Sequence, residues 1–207
     1  MKFDLHMHTT RHSPDSQMEP LGLVRRARQL GLDGVVITEH DWLWTEEELD
    51  EVRAAAHGLV VLAGVEVSAR EGHFLAYGVR DPFSIARGIG VADLCREVHR
   101  QGGAVVAAHP FRWGQRFGDI LREQKPELDG LEVMTSHMDA DCRRQAADVL
   151  RGRPLCGLGS SDAHHEDVLG VCYTDFRATI RDTRDLVQAI QSRQAVACER
   201  AAASLAG

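Results

Sequence analysis

The chain has 207 residues, of which 43% are hydrophobic and 27% charged, a balance that excludes an intrinsically disordered protein. No run of about 18 apolar residues occurs, which argues against a membrane-spanning helix. The formal net charge of −7 argues against a general binder of long nucleic acid or of anionic membranes.

The opening MKFDLHMH carries charge and histidine and no signal-peptide apolar core, so the expected location is the cytoplasm. Five cysteines, odd in number and without a C-x-x-C pair, read as reduced thiols. Along the chain, residues 2–8 (KFDLHMH) read as a strand. Pro20 to Leu30 reads as an amphipathic helix, with Leu23, Ala27 and Leu30 on one face and Gly31 as its stop. A strand at 34–38, an acidic helix near 45–57, a strand at 59–67 and, after the Glu71-Gly72 turn, a strand at 73–79 follow. A helix at 91–101 leads to a strand at 103–108, then a short helix, a strand at 130–135 and a helix at 139–151. The pattern ends with strands at 155–159 and 171–176 and a helix at 182–193, while the signals after Ala195 are weak.

Apolar strands alternating with helices imply a mainly parallel sheet with helices outside. Seven or eight such strands in this length favour a closed or nearly closed barrel forming one domain over 1–207, with a weakly defined tail after about 195. No G-x-G-x-x-G, G-x-x-x-x-G-K-[ST] or G-x-S-x-G is present. In parallel barrels the loops at strand C-terminal ends build the active site, and the acids and histidines fall there. His6 and His8 share a face at the end of the first strand, and Asp15 lies in the loop behind them. His40 follows GVVIT, Glu66 stands near the end of LVVLAGVEV, His73 opens its strand, and His109 follows GAVVAA. Asp162 and His164 follow LCGLG. Imidazole with carboxylate suits Zn, Mn or Fe(II), and nine candidate ligands exceed one ion's needs. Two or three divalent ions sharing a bridging carboxylate would use them all, an arrangement that clamps an in-line displacement at phosphorus.

The segments D-L-H-M-H-T-T at 4–10, I-T-E-H-D at 37–41, G-V-E-V-S at 64–68, H-F-L-A-Y-G at 73–78, A-H-P-F at 108–111 and G-S-S-D-A-H at 159–164 resemble the PHP (polymerase and histidinol phosphatase) superfamily. The resemblance runs over nearly the whole chain. It implies a distorted (β/α)7 TIM-like barrel, a trinuclear metal site and phosphoesterase activity. Carried over, it implies that His6, His8, Glu66 and Asp162 hold one ion, that Glu66 bridges to a second held by His73 and His109, and that Asp15, His40 and His164 hold a third. His12 is a rival to Asp15. Glu39 stands where the family pattern I-T-D-H has Asp, and reads as a partner behind the ligands or a bystander.

The expected reaction is hydrolysis of a small phosphate ester by a metal-activated water. Asp162 and His164 act there from within the ligand set. Arg112, two residues past Pro110 in a rim loop, is a candidate for bidentate phosphate binding. His137 is a candidate proton donor, and His165 a second one. Trp42, Trp44 and Trp113 occupy rim loops, as a wall for a ring or as packing. His57 and His99 fall within helices and read as surface residues. Two other readings compete. One is an amidohydrolase-like C–N hydrolase, whose bridging lysine at a strand end neither Lys2 nor Lys125 supplies. The other is a non-catalytic metal-stabilised module.

Overall fold

The computed structural model describes residues 1–201. Strands β1 (Lys2–Asp4), β2 (Gly34–Ile37) and β3 (Val60–Ala69) pair in parallel. β4 (Gly72–Tyr77) turns back across Arg70 and Glu71 to lie antiparallel to β3, and β5 (Ala104–Ala107) lies antiparallel to β4. β6 (Gly130–Met134) and β7 (Cys156–Gly159) resume parallel pairing. On the other side of β1, β8 (Cys172–Phe176) and β9 (Ala195–Glu199) add as antiparallel neighbours.

The sheet order is β7-β6-β5-β4-β3-β2-β1-β8-β9, and its two ends meet. A Cβ on Gly159 of β7 would lie 2.7 Å from Tyr173 O of β8, and 3.2 Å from Cys198 N and 3.3 Å from Ala197 Cα of β9, so glycine is what lets these strands close the seam. The result is the nearly closed α/β barrel that the alternation predicts. Two expectations need correction. Pairings among the described residues are half antiparallel rather than mainly parallel, because β4 and β8 run against the others. The weakly marked tail forms β9 as far as Glu199, and 202–207 lie outside the described residues.

The strand pleat sorts the core. Val35, Ile37, Val61 and Ala63 face outward onto helices α1 (Pro20–Gln29) and α2 (Glu46–Arg53). Val65, Val67, Phe74, Val105 and Leu131 face outward onto α3 (Val91–Arg100), α4 (Phe117–Glu123) and α5 (Ala140–Gly152). Phe3, Val36, Leu62, Leu75, Tyr77, Val106 and Leu158 fill the barrel, together with Leu186 and Ile190 of α6 (Thr183–Gln191). Helix α6 therefore plugs one end, where Gln191 Nε2 donates to Gly103 O at 3.3 Å. The other end is the mouth formed by the C-terminal ends of the parallel strands.

Helix α2 starts at a reciprocal capping box between Thr45 and Glu48 but ends at Arg53, short of the expected 57. His57 sits past it in a turn with φ 45°. His99 lies on α3 as expected, its Nε2 2.8 Å from Asp129 Oδ2.

Leu94 of α3 is fully buried against the barrel wall. Leu94→Ala is expected to lower the unfolding free energy by about 2–5 kcal/mol, read as a lower urea midpoint at unchanged m. A loss well below that range would mean that α3 is not part of the cooperative core.

Candidate metal centre

Past Asp4 the chain stays extended, with Met7 bridged to Ala163, so His6 and His8 enter the mouth together. His6 Nε2 lies 3.1 Å from His8 Nε2, 3.4 Å from Glu66 Oε1 and 3.3 Å from Asp162 Oδ1. His8 Nε2 is 3.4 Å from both Glu66 Oε2 and Asp162 Oδ1. The His8 ring stacks between His40 at 4.1 Å and His164 at 4.3 Å, centroid to centroid.

Glu66 faces inward because it pairs across the hairpin with Leu75, an interior residue. His73 pairs with Ser68, two positions along the same face, and its Nδ1 lies 3.0 Å from Glu66 Oε1. In a parallel barrel the first residues of a strand lie far from the mouth. The reversal of β4 brings His73 to it. His109, just past β5, places Nε2 3.1 Å from Glu66 Oε1, and His40, just past β2, places Nδ1 2.8 Å from Glu66 Oε2. Asp15 Oδ2 is 3.1 Å from His40 Nε2 and 3.5 Å from His164 Nε2. All nine residues expected at the mouth therefore meet there. Three triads bring their ligand atoms within 4.8 Å of one another: His6, His8 and Asp162; His6, Glu66 and His109; His8, His40 and His164. His73 and Asp15 touch these triads from more exposed positions.

Other expected residues divide. Arg112 Nη1 donates to Asp162 Oδ2 at 2.8 Å, with its guanidinium carbon 3.9 Å from the Trp113 ring centroid. Trp113 is 76% exposed beside His109 and His73. Trp44 is core instead: it is buried, and its Nε1 donates to Glu39. Trp42 stacks on His12, which lines the edge of the mouth with its Nε2 engaged by Glu48 at 2.7 Å. His137 and His165 are exposed. The His137 pKa is lowered, by desolvation foremost, with Arg112 adding to that effect and Asp162 opposing it.

Two buried acids stand behind the cluster: Glu39, in one of the two places the sequence reading allows it, and Glu132, which that reading does not single out. Glu132, in the middle of β6, is fully buried and meets both His6 and the His109 backbone. Glu39 is fully buried under Thr9, Ser13 and Trp44. The signal for Glu132 was a lone acid inside the apolar run GLEVMT.

The backbone is strained where it delivers side chains to the cluster: His109 has φ 27° and Asp162 φ 54°, with Asp41, Phe111 and Trp113 also positive. Such positions cost about 1–3 kcal/mol each and persist only when the surroundings impose them. The acids and imidazoles of the cluster shift one another. Burial drives the His6 pKa down, but the carboxylates of Asp162, Glu132 and Glu66 outweigh it and raise it well above the ordinary value. Burial also opposes the charge on His40, yet Glu66 and Asp15 hold its pKa up at about 9. Burial likewise opposes the charges of Glu66 and Asp162, and the imidazoles, His6 foremost, hold both pKa values below the usual carboxylate range. His8 moves the other way, lowered by burial.

Two buried oxygens, Glu66 Oε2 and Asp162 Oδ1, accept no hydrogen bond. His40 Nδ1 is close to Glu66 Oε2, but outside hydrogen-bond geometry. An undonated buried acceptor costs about 1–3 kcal/mol, more when charged, and a bound cation would remove that cost. The imidazole and carboxylate set suits Mn, Fe or Zn, so the residues fit divalent metal.

The PHP-associated family model matches residues 142–195. Over that segment the chain is similar to PHP-associated proteins. An uncharacterized protein of Methanocaldococcus jannaschii is 27% identical over 151 residues, 66% of this chain and 83% of that one. A two-domain protein from Bacteroides vulgatus, described as containing a predicted PHP-like metal-dependent phosphoesterase, superposes with TM-score 0.72 at 24% identity over 97% of this chain. The chain spans 65% of that structure's length. An amidohydrolase from Chromobacterium violaceum with bound sulfate superposes with TM-score 0.68 at 18% identity, over 98% and 99% of the two chains. The lesion-specific endonuclease of Pyrococcus furiosus gives TM-score 0.68 at 17% identity, over 92% of this chain and 56% of that one. No helix among the described residues is long and apolar enough to cross a membrane.

Glu66 touches imidazoles from β1, β2, β4 and β5. Equilibrium dialysis against Mn2+ is expected to show metal retained by the wild-type chain and less retained by Glu66→Gln. Equal retention would remove Glu66 from the centre.

Proposed function

We propose that this chain is a metal-dependent hydrolase of the PHP superfamily that cleaves a small phosphate ester, a monoester or nucleotide-type ester. It would use two or three divalent ions (Mn, Fe or Zn). The observation that carries this reading is the meeting of nine His, Asp and Glu side chains from many strand ends around two undonated buried carboxylate oxygens. His6, His8, Glu66 and Asp162 would hold one ion. Glu66 would be shared with a second held by His73 and His109, and Asp15, His40 and His164 would hold a third. When bound, such ions acidify water toward neutral pH and draw charge from a phosphoryl group.

The chain's own residues supply the remainder. A cavity of about 640 Å3 opens over the cluster, lined among others by Asp15, His40, Glu66, His109, Arg112 and Trp113. That volume suits a small molecule. Arg112 spends one N–H on Asp162 and keeps the rest of its planar fork for phosphoryl oxygens. Its link to Asp162 also orients that carboxylate, and Trp113 offers a ring face beside the entry. His137 stands at the rim as a group able to exchange a proton with the leaving oxygen. The description of the Bacteroides vulgatus relative supports the phosphoesterase class. The C–N hydrolase reading lacks its bridging lysine. Lys2 opens β1 at the end away from the mouth, Lys125 lies in the loop after α4, and both are exposed.

Inorganic phosphate release by Mn-loaded protein, across phosphate monoesters, diesters and a short oligonucleotide, tests the reading. A coupled phosphatase in the diester wells reveals cleavage that leaves a monoester. Chelator-sensitive release from a subset is expected, with Asp162→Ala and His8→Ala reduced to background while circular dichroism stays native. Silence across the panel by metal-loaded protein, or full activity in either variant, overturns it.

A further inference from the structure

We propose that Glu132 and Glu39 are positioning residues for the paired histidines at the mouth. Each buried carboxylate fixes a hydrogen on one Nδ1 atom and thereby turns an Nε2 lone pair toward the centre. The inference rests on the metal-centre reading above and adds two residues that the ligand set does not contain.

His6 and His8 present Nε2 to Glu66 and Asp162 and turn Nδ1 away from them. His6 Nδ1 lies 3.1 Å from Glu132 Oε1. An ionised carboxylate only accepts, so the hydrogen of this bond sits on Nδ1. Glu132 has little freedom to move. The Ser160 hydroxyl donates to the same oxygen, and the His109 backbone N–H donates to Oε2 at 2.6 Å. One side chain from β6 thus ties down a histidine from β1 and the strained backbone of another just past β5.

His8 is held at one remove. Its Nδ1 is 3.3 Å from Ser13 Oγ, and Ser13 Oγ donates its single hydrogen to Glu39 Oε2 at 2.6 Å. With that hydrogen spent, the hydroxyl can only accept from His8, which again puts the hydrogen on Nδ1. Glu39 is anchored in turn by Thr9 N at 3.0 Å, the Thr9 hydroxyl, and Trp44 Nε1 at 2.9 Å. Both acids are fully buried, and neither belongs to a triad of converging ligand atoms among the described residues. A histidine in the other tautomer would aim an N–H at an incoming cation. Partners of this kind are worth roughly 10–100-fold in metal affinity.

Two measurements on Zn2+-loaded protein test this without reading turnover. In 15N-histidine NMR the wild type is expected to show slowly exchanging, hydrogen-bonded Nδ1–H signals for His6 and His8. Glu132→Gln should lose the first signal and Ser13→Ala the second. In chelator competition each variant should release zinc about 10–100-fold more readily. Because Glu39 acts on His8 through Ser13, the Ser13→Ala/Glu39→Gln double variant should lose no more than the larger single loss. Should Glu132→Gln fail to fold, Ser13→Ala and Glu39→Gln still decide the His8 half. Wild-type affinity with both Nδ1–H signals intact in the variants overturns the proposal. So does additivity of Ser13→Ala and Glu39→Gln, since a purely structural role for Glu39 would give it. A wild-type chain that holds no zinc overturns it together with the metal centre, whereas a silent phosphate panel bears only on the substrate reading.

Discussion

Burying Glu66, Asp162, Glu132 and Glu39 at one barrel mouth demands matching positive charge and a large supply of donors. Isolated carboxylates do not survive in such a place; they are paired, hydrogen-bonded or bound to a cation. The protein meets the demand in two ways. Glu132 and Glu39 are saturated by hydroxyls, backbone N–H groups, an indole and an imidazole. Glu66 and Asp162 are ringed by imidazoles yet each keeps one undonated oxygen. The division separates acids whose oxygens are all donated to from acids that each keep one oxygen open.

The same demand explains the distribution of strain. His109 and Asp162 adopt left-handed backbone directly after their strands, in each case with the backbone N–H captured: His109 N by Glu132 and Asp162 N by the His6 carbonyl at 2.9 Å. The unfavourable dihedrals are held by interactions that tie neighbouring strand ends together. Below them the packed interior of Phe3, Leu75, Tyr77 and Leu158 fixes the strands that carry the mouth.

Much of this was legible in the sequence because strand ends are where a parallel barrel exposes side chains. Histidines and acids directly after short apolar runs could converge only there, as His40, His109 and Asp162 do. The direction of β4 was harder to read, since an apolar strand has the same pattern whichever way it runs. His73 counts among the nine acids and histidines expected at the mouth although it opens its strand, and the reversal of β4 supplies the geometric reason. β9 escaped notice because AVACE is half-exposed and short, and its place depends on a distant contact, the close approach at Gly159. Glu132 was hidden by its surroundings: one acid in an apolar run looks like a tolerated exception until its three donors, from three parts of the chain, are seen. Trp44 looked like a rim aromatic because nothing local shows that its indole is spent on Glu39.

The hairpin that carries Glu66 and His73 closes over just two residues, Arg70 and Glu71. Side chains alternate sides along a strand, so adding or removing one residue at this turn would exchange the two sides of β4 relative to β3. Phe74 and Ala76 would point into the lumen, and His73 and Leu75 would point out toward the helices. Evolution can therefore exchange the letters of this turn far more freely than it can alter their number. A one-residue indel at an exposed loop tip, ordinarily among the best-tolerated lesions in a protein, would here disarm the mouth while every chemically important residue remained in the gene.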